Sequence, residues 1–340
     1  RDASCDWSSD VCSSDLLVAR SKAIFYKKLK EVRENYGVEN KRERKFEDIK
    51  LLFDVLKYKN PQEIYVDDQT YLDLNMNQVF EKVDRTLSSP GEQYLYHILR
   101  NPILKKEKLI NRNKIISFFQ KNKESREKIQ VSLLKLGRQR NNTVTSFLWN
   151  EILYKTSMKP LLYLLTVLAY GSLVSIAFIG IAKAFYFLFL MFLVNGFINV
   201  KIKKQVGAEI EAMGYLGKII TLAEVMGRVE DEEIKECTLK LKEKAKNCKV
   251  IMKKATSIGI GRIEGADVIF EYFNMFFLKE ARGFYRIIDE VKAHIEEIRD
   301  IYLILGEIDA LISVASYRDG LLEYTEPKLA KGLKEIKGEI

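Results

Sequence analysis

The chain has 340 residues, of which 47% are hydrophobic and 30% charged, and it carries a formal net charge of +9. This balance excludes an intrinsically disordered tail, and 5 Pro and 18 Gly are too few turn-formers for a many-stranded β fold. A mostly α chain, folded as two domains or as one elongated body, is the expectation.

Asp6 to Leu16 reads DWSSDVCSSDL, which is the codon-by-codon translation of a sequencing-adaptor string. Residues 1–16 are therefore set aside as an artefact, and an incomplete reading frame is expected. Cys5 and Cys12 leave with them; Cys237 and Cys248 read as reduced thiols in a Lys-rich helical stretch. The discarded segment holds Arg1 against Asp2, Asp6, Asp10 and Asp15, so the remainder has a net charge of +12. A charge of that sign favours an anionic partner, either nucleic acid or a lipid surface.

Residues 17–60 read as an N-terminal helical arm with a break near Tyr36-Gly37-Val38-Glu39-Asn40. The basic run Lys41-Arg42-Glu43-Arg44-Lys45 reads as a solvated helix start. Residues 61–159 follow Pro61. Asp67 to Asn101 suggests a short extended stretch and then two helices. Ser88-Ser89-Pro90-Gly91 reads as a helix start, with a serine cap and proline in the first turn. Asn101-Pro102 ends that helix, because a residue before proline is pushed out of the helical region. Lys105 to about Gln139 is helical again, with Leu109, Ile115, Ile116, Phe118, Phe119, Leu133, Leu134 and Leu136 on the core side.

Residues 160–204 are different in kind. Leu161 to Ala182 contains no charge, and some twenty helical residues span about 30 Å, the thickness of a bilayer's hydrocarbon core. Ala184 to Val200 is equally bare. Gly180-Ile181-Ala182-Lys183 leaves room for a tight turn between them. Neither segment keeps the polar stripe of a soluble core helix. The expectation is a two-helix transmembrane hairpin. Lys155, Lys159, Lys201, Lys203 and Lys204 at its flanks place both chain ends on the cytoplasmic side of an inner membrane.

Residues 205–327 return to amphipathic helix: Gln205 to Met226, Glu230 to about Ser257, and Ala281 to about Ser316. Asp267 to Leu278 is aromatic and apolar. Glu230 to Glu233 suit the positive end of a helix dipole. Lys242, Lys246, Lys249 and Lys253 recur at steps that share one helix face. The Gly259, Gly261, Gly265 stretch lacks the Lys-Ser/Thr that a phosphate-binding loop needs, and reads as a connection between helices. His97 and His294 each stand alone, without a ligand cluster. No serine sits in a nucleophile context. No catalytic, cofactor or metal residue is assigned.

Two segments go beyond generic helix. VDDQTYLDLNMNQVFEKVDRTLSSPGEQYLYHILRNPI, Val66 to Ile103, resembles the start of the core or lever domain of the MutS family of DNA mismatch repair proteins. The family's leucine–acidic–leucine strand, Asp-x-Thr, Gly-led helix with Leu-Arg, Pro and Leu-x-x-Arg fall here on Leu72-Asp73-Leu74, Asp84 and Thr86, Gly91, Leu99-Arg100, Pro102, and Leu109 to Arg112. LGEIDALISVASYRDGLLEYTEP, Leu305 to Pro327, resembles that domain's closing helix. Its matching positions are Leu305, Glu307, Ile308, Asp309, Ala310, Leu311, Ser313, Ala315, Tyr324 and Pro327.

The resemblance implies an elongated helical lever with an inserted membrane hairpin, as in a membrane-anchored subgroup of the family. It implies that residues 328–340 begin the link to an ATPase domain beyond Ile340, where ATP and Mg would bind. It also implies DNA as a partner and a homodimer formed through the full-length protein. The family's mismatch-reading Phe-x-Glu is absent from this sequence. Arg138, Arg140, Lys253, Lys254 and Arg262 are the candidate DNA contacts. The rival expectation is a membrane-bound scaffold that binds protein or anionic lipid without DNA. A small transporter is disfavoured, because the apolar pair holds no intramembrane charge to form a substrate path.

Overall fold

The computed structural model describes residues 8–139, 143–150, 158–251, 253–254 and 267–326. Among them there is no strand. Fifteen labelled helices follow one another, beginning with α1 (Ser8–Asn35), α2 (Phe46–Ile49), α3 (Leu51–Lys59), α4 (Asp68–Asp73), α5 (Met76–Val83) and α6 (Ser89–Arg100). Next come α7 (Lys106–Lys121), α8 (Lys123–Leu136), α9 (Thr143–Trp149), α10 (Lys159–Ile179) and α11 (Ile181–Met226). A 3-10 turn (Glu232–Ile234) leads into α12 (Lys235–Asn247), and α13 (Asp267–Phe277), α14 (Lys279–Ala293) and α15 (Ile295–Asp319) complete the order.

Helix α15 is the hub. It packs on α5, α6, α7, α8, α9, α11 and α12, and Ile308 to Ser313 are buried without a break. A helix buried on every side must be apolar or hydrogen-bonded all round. Here Ile308, Ala310, Leu311 and Ile312 supply the apolar contacts, and Asp309 and Ser313 are bonded to Ser88 and Val83 of the segment before α6. Tyr302 adds a buried polar knot: its hydroxyl donates to Gln93 Oε1 at 2.8 Å, and Thr145 Oγ1 donates to the same oxygen at 2.6 Å. That knot ties α6, α9 and α15 together.

Local chemistry sets the helix ends. Ser88 Oγ accepts the Gly91 N–H at 3.2 Å and Pro90 lies in the first turn of α6, as the sequence predicts. Asn122 splits the expected long helix into α7 and α8, because its side chain caps α8 by accepting the Ser125 N–H at 3.2 Å. Asp67 caps α4 through Thr70 N at 2.9 Å. That cap corrects the extended stretch expected at Leu72-Asp73-Leu74. Leu72 and Asp73 end helix α4, Leu74 is its C-cap, and both leucines are exposed.

The apolar pair is present as two helices joined by Gly180 alone, whose φ of +75° suits glycine. The expected four-residue turn is a correction: Ile181, Ala182 and Lys183 already belong to α11. A second correction concerns the hairpin's exit. Helix α11 does not stop at Lys204 but runs on to Met226, with a kink at Val206 (φ −137°, ψ 22°). Its first half is mostly exposed and apolar, and its second half is buried in the body through Met213, Leu216, Ile219, Ile220 and Ala223. Both α10 and α11 are long and apolar enough to cross a membrane.

Candidate functional site

Where α5, α6 and α15 meet, five acidic and basic side chains are drawn into the interior. Asp84 is fully buried. Its Oδ2 accepts Arg42 Nη2 at 2.7 Å and Arg44 Nε at 3.0 Å, and its Oδ1 accepts the Thr86 hydroxyl at 2.6 Å and the Thr86 N–H at 3.1 Å. Arg42 also donates to Glu92, and Arg138 Nε lies 3.5 Å from the second Glu92 oxygen. Burial alone would raise the Asp84 carboxyl, but Arg42, the Thr86 hydroxyl, Arg138 and Arg44 overcome it and hold the group below its ordinary value. Glu92 is pushed up by burial.

A second carboxylate fastens the far ends of the chain together. Asp309 on α15 accepts the N–H of Leu87 at 3.1 Å, the N–H of Ser88 at 2.9 Å and the Ser88 hydroxyl at 2.5 Å. One turn on, Ser313 Oγ accepts the Arg85 N–H at 2.7 Å and donates to Val83 O at 2.8 Å. Close approach makes this possible. A Cβ at Gly306 would lie 2.7 Å from Pro90 O, and one at Gly91 would lie 2.6 Å from Asp309 Cβ.

Burial raises Asp309 from 3.8 to about 6, against the pull of the Ser88 hydroxyl, the Leu87 N–H and Arg138. The native form therefore holds this proton more tightly than the unfolded chain. Its contribution to stability is complete below pH 3.8 and is lost as pH rises through about 6. At about 1.4 kcal/mol per tenfold change the loss reaches ~3 kcal/mol. Denaturant titration of the detergent-solubilised chain should show wild type losing stability relative to Asp309→Asn over that window. A relative gain would contradict it.

The remaining residues singled out in the sequence fall on both sides of this junction. Arg100 is buried, with its guanidinium 4.4 Å from the Phe53 ring centroid and 4.6 Å from that of Tyr71, and it donates to Val66 O at 2.7 Å and Asp68 at 2.6 Å. Leu99 packs at the edge of the same small aromatic cluster, and Ala310 is within it. Arg112 is half-buried and counters the burial that raises Glu307. Pro102 is exposed. Tyr324 is exposed, under Arg318 at 5.4 Å. Pro327 lies outside the described residues.

Of the candidate DNA contacts, Arg138, Lys253 and Lys254 lie among the described residues. Arg138 sits at the junction: its guanidinium donates to Thr86 O and pairs with Glu92, and its side chain stays 28% exposed. Lys254 pairs with Glu290 at 3.7 Å. Lys253 is exposed, as are Lys242, Lys246 and Lys249 on the same stretch. Arg140 and Arg262 lie outside the described residues, as does the Gly259 to Gly265 stretch.

The basic run at 41–45 is the clearest miss. It is not a solvated helix start but a non-helical segment before α2. Arg42 and Arg44, two apart in a non-helical chain, both reach Asp84, and the Arg44 side chain is only 4% exposed. The period-two spacing of the arginines was the available signal. Beside them a cleft of about 340 Å³, lined by Tyr36, Lys41, Arg85, Gln130 and Arg138 among others, opens between α1 and α8.

The oxygens of Asp84 and Asp309 are taken up by these intramolecular donors, so the cluster fastens the segments to one another. No protein-family model, no curated protein and no solved structure matches this chain.

Proposed function

We propose that this chain is the membrane-anchored helical lever of a MutS-like ATPase. The observation that carries the reading is the junction. Asp309 bonds Leu87 and Ser88 and lies against Gly91, and Ser313 bonds Val83 and Arg85, across 221 to 230 positions of sequence, so the two segments with family resemblance are held together as one mechanical unit. In this reading α15 passes motion from an ATPase domain beyond Ile340, which binds ATP and Mg, to a DNA-gripping end. Dimers form through the full-length protein. Helices α10 and α11 tether the lever to the inner membrane with both chain ends cytoplasmic, in keeping with their length, their apolar surface and the flanking lysines.

One observation favours a second reading, a membrane scaffold without DNA. Of the three described candidates, Arg138 and Lys254 are engaged in ion pairs within the chain. The positive balance would then serve an anionic lipid face. Anisotropy titrations of the detergent-solubilised chain with duplex DNA at several salt concentrations separate the two. The lever should bind saturably, with log affinity falling by about 0.9 per phosphate contact for each tenfold rise in salt. Absence of saturable binding at low salt would leave the scaffold.

A further inference from the structure

Helix α13 runs antiparallel to α11 at the base of the apolar pair. Glu271 pairs with Lys203 at 2.8 Å, and one to two turns further along Asn195 Nδ2 donates to Phe276 O at 2.6 Å. On the other side Thr166 Oγ1 lies 3.3 Å from Phe277 O, and the Phe277 ring sits 4.7 Å from that of Tyr170. The chain then reverses at Leu278, whose φ of +51° is the left-handed conformation, and α14 returns alongside α10 until Asp289 meets Lys159 at 2.6 Å. The corner at Phe277-Leu278 therefore stands about 10 Å up the apolar pair from its lysine-flanked base, at 1.5 Å per residue.

Two features fix what surrounds that corner. Its backbone finds partners within the protein: Asn195 bonds Phe276 O, Thr166 shares its hydroxyl between Leu162 O at 2.8 Å and Phe277 O, and Asn274 Oδ1 accepts the Glu280 N–H at 2.8 Å. Non-helical backbone beside lipid tolerates nothing less, and this accounts for polar residues on otherwise apolar helices. Yet α14 opens at once on Lys279, which is exposed, and Glu280, which is half-buried. Those charges need water or headgroups, whereas the outer surface of α13 presents Tyr272 and Phe273 at 57% and 59% exposure, continuous with the apolar belt of α10 and α11.

We propose that the α13–α14 corner is the waterline of the membrane. Helix α13 rises through the headgroup layer to the acyl boundary with Tyr272 and Phe273 against lipid, in the interfacial zone where aromatic side chains concentrate. The partner of this surface is the bilayer interface. The inference rests on the membrane reading of α10 and α11 and makes it more specific. The lipid-embedded length of α10 begins near Thr166 and not at Lys159, which leaves about 20 Å to Ile179. Lys183, just past the turn, reaches toward the far headgroups by snorkelling, and local thinning of the bilayer covers the rest.

The test uses the whole chain in vesicles of phosphatidylcholine with a minority of phosphatidylglycerol, the acyl chains brominated either near the headgroup or near the methyl end. Phe273→Trp supplies a probe on α13, and Phe187→Trp supplies one in the middle of the apolar pair. Each is read as fluorescence added to that of the parent, with matching helicity by circular dichroism as the folding control. The expected result is that shallow bromine quenches the α13 probe and deep bromine scarcely touches it, with the reverse for the mid-pair probe. A quenched mid-pair probe beside an α13 probe untouched by either lipid overturns the interfacial assignment and leaves the anchor standing; contact with a second copy would give that outcome. An α13 probe quenched chiefly by deep bromine overturns the waterline. If neither probe responds, the membrane reading falls with the inference.

Discussion

Asp84→Ala is expected to destabilise the folded chain by about 3–5 kcal/mol, the range for removing one partner of a buried ion pair. The cost arises from what remains. Arg44 is almost wholly enclosed, and Arg42 keeps only Glu92. The Thr86 hydroxyl and N–H lose their acceptor as well. Because the desolvation penalty of the arginines dominates, Asp84→Ala combined with Arg44→Met should cost less than the sum of the two single changes. Denaturant midpoints in detergent measure all three. The pH dependence carries a sign of its own. Asp84 is held below its ordinary 3.8, so its contribution is complete above that pH and is lost as pH falls through the lower native value. The gap between wild type and Asp84→Ala should therefore narrow in acid. A strictly additive double variant, or a gap that widens in acid, would show that the cluster does not hold the junction together.

Much of the helical framework could be read from the sequence, for reasons particular residues make plain. Ser88 and Pro90 mark the start of α6 through local chemistry that needs no tertiary partner. Leu161 to Ala182 and Ala184 to Val200 declare themselves by the absence of charge. Arg42 and Arg44 were misread because a Lys/Arg-rich run is solvated unless something distant neutralises it, and Asp84 lies some forty positions away. Leu72-Asp73-Leu74 was misplaced for the opposite reason: a short-range cap at Asp67 outweighed the strand-like alternation. The role of Asp309 rests on a partner 222 positions distant, which local propensity cannot report. Nor could composition tell that the aromatic stretch ending at Phe277 folds against the apolar pair. Polar residues such as Asn195 and Thr166, out of place on such helices, are the signal of a neighbour.

Gly91→Ala is expected to be at least as damaging as the loss of Asp84, although it adds only a methyl group. The Cβ would stand 2.6 Å from Asp309 Cβ and closer still to the carboxyl group. Overpacking alone costs about 1–3 kcal/mol. Here the displaced atoms are the acceptors of Leu87 N and Ser88 N, and each buried N–H left without a partner adds about 1–3 kcal/mol. A loss of at least ~3 kcal/mol follows from these terms together. Gly306→Ala meets backbone, Pro90 O at 2.7 Å, and should behave alike. Gly214→Ala on α11 meets nothing within 4 Å and should be neutral or stabilising by about 0.5–1 kcal/mol, as in any open helix interior. Thermal and denaturant unfolding of the three variants in detergent checks the contrast. Asp309→Ala added to Gly91→Ala gives the methyl group room but leaves the same donors unpaired, so the pair should cost little more than the worse of its members. Such a plateau separates a lock that works by bonded contact from one that works by shape alone, in which removing the obstructing side chain would restore stability.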